Sequence, residues 1–191
     1  MDWNTDGFIA AMAGVFVIAA ITGIIFYLIG AIARYRYLRI RSYDNVWLAF
    51  IPIVNIWAVV EATYGKRDKV NIYGWDAPAD VLKLWPIVTY AAALIINLVP
   101  YAGSILSLLL TILNIAVLTM IFRDVMEQLD KPQETVTAVI VVIFSFIADI
   151  MILVETGRFS PGQQDWKTDN RVLNSQTRIG GPLSFLNGKM Y

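Results

Sequence analysis

From Leu84 to Phe122 the chain reads LWPIVTYAAALIINLVPYAGSILSLLLTILNIAVLTMIF, without one charged residue. As a single helix at about 1.5 Å per residue it would run roughly 58 Å, nearly twice the ~30 Å of a bilayer's hydrocarbon. The stretch must therefore turn once, and Pro100-Tyr-Ala-Gly103-Ser104 marks the place. Proline cannot continue the first helix, glycine permits the turn, and serine can cap the second. The reading is a transmembrane helical hairpin with crossings at about 81–99 and 104–122. Asp80 is the expected N-cap of its first helix, after a polar loop over 70–83. The second helix continues past the membrane towards Leu129 and stops before Pro132.

The flanking segments repeat this chemistry. Phe8 to Ile32 is uncharged, enough for one crossing at about 8–32. Its leading flank is acidic rather than basic, so it is not a cleavable signal. The basic residues follow at Arg34, Arg36, Arg39 and Arg41, which places the N-terminus outside and Arg34–Arg41 in the cytoplasm. A Val- and Ile-rich stretch at about 135–154 is the last expected crossing. The apolar segment 46–63 holds Pro52, Asn55 and Glu61. A full crossing there would strand Lys66, Arg67, Lys69, Lys83, Arg123 and Lys131 outside, so it is read as re-entrant or interfacial. The expected fold is an all-α integral membrane protein with four transmembrane helices and one re-entrant or interfacial Pro-broken helix. Residues 1–154 form the membrane domain, and 155–191 form an irregular extended tail placed outside. A fifth crossing at 46–63 is the runner-up and would move that tail to the cytoplasm.

Composition agrees with a membrane chain. Of 191 residues 58% are hydrophobic and 16% charged, with a mean hydropathy of +0.60, against about 25% charged in soluble domains. The chain has no Cys and no His. Disulfides, thiolate nucleophiles, imidazole bases, His-ligated haem and the common zinc sites are therefore excluded. No Gly-x-Ser-x-Gly elbow or phosphate-binding glycine loop is present either. The expectation is a protein that is not an enzyme, with no catalytic residue, cofactor or metal ligand.

Several residues stand out against the apolar background. In Trp47-Leu-Ala-Phe-Ile-Pro52-Ile-Val-Asn55 the proline frees backbone carbonyls, and the asparagine can satisfy one of them or bridge to another helix. Such a broken helix can line a transport path, although kinked packing is the commoner use. Asn97 and Pro100 give a weak echo of the same arrangement. Glu61 and Asp149 are the acids nearest the hydrocarbon, where ionisable groups are costly and mark function. Thr111, Asn114 and Thr119 share no single helix face, which argues for interhelical hydrogen bonds over an aqueous channel. Gly23 and Gly30 share a face of the first helix and permit close approach. Arg34, Arg36, Arg39 and Arg41, directly after a crossing, read as anionic-lipid contacts and not as a nucleic-acid surface.

The W-x-A-x-I-P-x-x-N motif at Trp47–Asn55 follows an aromatic-rich first helix and a basic turn, and precedes a second Pro-broken hairpin. Over about residues 8–154 this resembles a group of small bacterial multi-pass membrane proteins of uncharacterised function. The resemblance implies a bacterial inner-membrane location and no particular activity. The functional expectation is an accessory or assembly subunit of a larger membrane complex, its tail ordered against a partner. The expected partners are membrane lipids and other membrane subunits, a hetero-complex ahead of a homo-oligomer. A small transporter or channel built on Pro52, Asn55 and Pro100 is the alternative, and a lipid-handling protein a third.

Overall fold

The structure is a computed structural model that describes residues 5–65, 67–72, 75–96, 98 and 103–164, apart from the side chains of Thr5, Asp6 and Trp75. Helix α1 spans Thr5–Ile40, longer than the apolar run because Ala33–Ile40 contains neither Gly nor Pro to end it. It stops in a Schellman motif. Ser42 takes the left-handed conformation (φ 56°), its N–H donates to Arg39 O at 3.3 Å, and Tyr43 N–H donates to Leu38 O at 3.0 Å.

A 3-10 helix at Val46–Phe50 leads to α2, Val54–Tyr64. Between them Val54 N–H donates to Pro52 O at 2.8 Å across Ile53, whose φ of 69° and ψ of −53° make a classic γ-turn. That turn is rare and strained for a β-branched residue. The segment is thus broken at Pro52, and α2 packs against α1, α3 and α4.

The expected polar loop holds a two-stranded antiparallel hairpin, β1 Lys69–Ile72 and β2 Trp75–Pro78, with Lys69 opposite Pro78 and Ile72 opposite Trp75. Helix α3 follows directly at Ala79–Ile96. Asp80 therefore lies within its first turn and pairs with Lys83 at 3.1 Å instead of capping. Helix α4 spans Gly103–Gln128. A Cβ on Gly103 would lie 2.8 Å from Ile96 O, so the return onto α3 needs glycine there. Like α1, α4 ends in a Schellman motif, with Asp130 at φ 57° and Lys131 N–H donating to Met126 O at 2.9 Å.

The expected straight crossing at 135–154 is instead two short helices, α5 Thr135–Ile143 and α6 Ser145–Thr156, bent by 114°. At helical rise the arms measure about 14 and 18 Å, and this bend leaves their ends roughly 18 Å apart, short of the ~30 Å core. Neither Pro nor Gly occurs at 135–154, so the cause is tertiary. Helix α6 packs chiefly on α1, where the Phe146 and Phe26 rings lie 5.4 Å apart. Three helices, α1, α3 and α4, are long and apolar enough to cross a membrane, or four spans if the bent α5–α6 pair is taken as one, as in a multi-pass membrane protein.

A second expectation changes with the bend. Gly162 N–H donates to Arg39 O and Gln164 N–H to Ile40 O, both at 3.0 Å. Residues 162–164 therefore sit at the same end of the bundle as Arg39 and Arg41, not across the membrane from them. The rest of the tail, 165–191, lies outside the described residues, as do Asn97 and Pro100. The buried core gathers at this same end, around Tyr37, Leu38, Ala62, Tyr64, Leu82 and Met126.

Candidate functional site

The segment Arg34–Arg41 organises the basic end because a helix separates what the sequence alternates. Residues 34, 37, 38 and 41 face inward at three- and four-residue spacing, while 36 and 39 face outward. Arg34 Nη2 donates to both carboxylate oxygens of Asp149 on α6, at 2.9 and 3.1 Å, joining α1 to α6 nearly two turns inside their ends. Gly30 makes this pair fit. A Cβ there would lie 2.5 Å from Asp149 Oδ2. The same addition at Gly23 would meet open space, so only one of the two shared-face glycines serves close packing.

Arg41 is 0% exposed. Its Nε and Nη2 donate to Ala62 O on α2 at 3.2 and 3.1 Å, and Nη1 donates to Gln164 Oε1 at 3.4 Å. Gln164 Nε2 donates in turn to Gln128 O at 2.9 Å. Gln128 Nε2 donates to Thr63 O at 2.8 Å, and its Oε1 accepts from Tyr37 OH. The Tyr37 and Thr63 hydroxyls sit 2.9 Å apart. Tyr64 OH donates to Asp124 Oδ2 at 2.8 Å. One polar network thus ties α1, α2, α4 and the chain after α6. Buried polar groups are tolerated only when bonded in this way.

Asn55 is buried at 4% exposure, yet its side chain makes none of the hydrogen bonds found among the described residues. The Ile51 carbonyl near Pro52 is taken by Asn55's own backbone N–H at 2.9 Å. Glu61 accepts from Tyr43 OH. Burial, and then this hydrogen bond, push the Tyr43 phenol well above its ordinary value. Of the four expected lipid-facing arginines, Arg36 and Arg39 are exposed, while Arg41 is buried and Arg34 is held by Asp149.

Two cavities are lined by described residues of these helices. One of about 290 Å³ lies between α3 and α4 beneath α2. Ser107, Thr111 and Asn114 line it at i, i+4 and i+7, so α4 does carry a polar face, with Ser107 rather than Thr119 as its third member. There Trp85 Nε1 donates to Asn114 Oδ1 at 3.1 Å, and Thr89 and Thr111 spend their hydroxyl protons on their own helices. The other, about 570 Å³, opens beside Arg36 and Arg39 at the ends of α1 and α6. Sequence reasoning missed Tyr37, Thr63, Gln128 and Gln164. Only the inward phase of Tyr37 and Arg41 on α1 was available to signal them. Among the described residues no group of three acidic, His or Cys side chains is placed to hold a metal ion.

Compared with known proteins, the chain matches no family model, no curated protein and no solved structure.

Proposed function

We propose that the protein is a non-catalytic accessory subunit of a larger membrane assembly in a bacterial inner membrane. Helix α1 carries this reading, because every residue from Gly7 to Phe26 is exposed. That length is about 30 Å at helical rise, the thickness of the hydrocarbon core. Most of the spanning part of α1 is thus left open, Phe26 alone of this length meeting an aromatic ring, that of Phe146 on α6 at 5.4 Å, while its last turns build the core. In lipid no hydrophobic force collects helices together, so packing and hydrogen bonding choose a span's neighbours. A span left largely open is suited to a neighbouring subunit, and a second copy of the chain is the alternative occupant. Photo-crosslinkers at Val15, Ile18 and Ile21 are expected to capture another membrane protein in stoichiometric yield. Lipid adducts alone, with a monodisperse lone protein in mild detergent, would sink the idea.

The orientation follows from charge. With α1, α3 and α4 crossing and α5–α6 dipping in from the basic end, all ten Lys and Arg among the described residues fall on one side of the membrane. The opposite ends of these helices, at residues 5–7, 96, 98 and 103, carry none. The positive-inside rule makes the basic side cytoplasmic. The absence of native cysteine allows a direct check. Cysteines at Arg36, Lys131 and Ser160 should label from the cytoplasm, and one at Gly7 from outside. Labelling of position 160 from outside would contradict the re-entrant reading.

A small transporter is the second reading, favoured by the polar face of the α3–α4 cavity. Asp149 is a poor free proton carrier while Arg34 holds it. Flux into liposomes that survives both Asn114→Ala and Asp149→Asn would remove these sites.

A further inference from the structure

We propose that the cavity beside Arg36 and Arg39 binds a phosphate-bearing anion, with the headgroup phosphate of an anionic membrane lipid as its natural source. The two side chains are exposed, and neither makes an ion pair or hydrogen bond among the described residues. They stand one turn apart on α1, the spacing at which side chains are neighbours. Both line one cavity of about 570 Å³. Two unpaired guanidiniums on one hollow match the geometry of a phosphate, which each fork can engage with paired donors.

The rest of the lining says what the phosphate is attached to. Tyr35, Phe50 and Phe159 supply aromatic walls, while the buried Thr156 hydroxyl donates to Leu153 O of its own helix at 2.9 Å. The Tyr35 and Phe50 rings lie 5.7 Å apart. Trp47, beside Phe50 in the chain, is 58% exposed. Exposed aromatics at the end of a spanning helix mark the headgroup level of a bilayer. From Ile32 in the cavity wall, an exposed apolar strip climbs α1 through Leu28 and Ile25, where an acyl chain can lie. The nearest acid on α6, Glu155, is paired with Arg158 at 3.0 Å. Lipid attraction is worth a factor of about five per arginine, so the pair together is worth roughly thirty-fold.

The test uses the full chain in nanodiscs. Spin-labelled phosphatidylglycerol is compared with spin-labelled phosphatidylcholine for motional restriction by the protein. The wild type is expected to prefer the anionic lipid by roughly thirty-fold, Arg36→Gln/Arg39→Gln to lose that preference, and Arg36→Lys/Arg39→Lys to keep most of it. Both arginines are exposed, so the glutamine variant is expected to keep the wild-type helical spectrum. Lys69→Gln, which removes an exposed charge from the same end but not from the cavity, should leave the preference intact. An equal loss in Lys69→Gln, or an unchanged preference in the double glutamine variant, would overturn the site. Displacement of the lipid by millimolar inorganic phosphate would uphold the two-arginine phosphate site and overturn the lipid as its source.

Discussion

Arg34 and Asp149 are the clearest case of two residues that make sense only together. Each alone is a charge that burial penalises, and side-chain exposures of 21% and 12% leave little water to screen the pair. Asp149→Ala is expected to lower stability by about 3 kcal/mol by leaving the guanidinium uncompensated. Arg34→Met/Asp149→Met is expected to lose clearly less than the sum of the two single changes. Thermal unfolding in detergent measures both. Full additivity would show that the ion pair contributes nothing. The sequence marked Asp149 as costly but could not supply its partner, because 115 positions separate the two. It also assigned Arg34 and Arg41 to lipid. An alternating basic pattern looks like an anchor until a helix sends half of its members inward.

Among the helices and turns, what could be read in advance followed period and punctuation. The hairpin of α3 and α4, the apolar run of α1 and the break at Pro52 all come from uncharged runs and from Pro or Gly. The bend between α5 and α6 has no such mark, and it follows from packing on α1. The hairpin of β1 and β2 was missed because four-residue strands are too short for a period to appear. The ends of α1 and α4 were also unmarked. Each places a non-glycine residue, Ser42 or Asp130, in the left-handed position that a Schellman motif usually gives to glycine. Ser42→Gly and Asp130→Gly are each expected to stabilise by about 0.5–1 kcal/mol, because relief of left-handed strain outweighs the added chain entropy. Ser42→Val should do the reverse. A lower melting temperature for both glycine variants would contradict the assignment.

Taken whole, the molecule is built unevenly. Its packing is concentrated at the basic end, and the outer two-thirds of α1 stands apart. Gln128 lies at the centre of the packed end, bonded to Tyr37 of α1, Thr63 of α2 and Gln164 beyond α6. Gln128→Ala is expected to raise hydrogen exchange in all three segments and in α4, whereas Asp149→Asn should raise it in α1 and α6 alone. Identical exchange patterns in the two variants would deny the network its central role. The short, bent α5–α6 pair also bears on the order in which the protein is made. Neither arm can thread the bilayer alone, and α6 carries an acid whose partner lies on the first helix. The pair can therefore seat only after α1, α3 and α4 are in place, which makes its arrival the closing step of biogenesis. A chain ended after Glu134 should insert its three spans yet leave Arg34 open to a guanidinium-reactive probe that the full chain excludes.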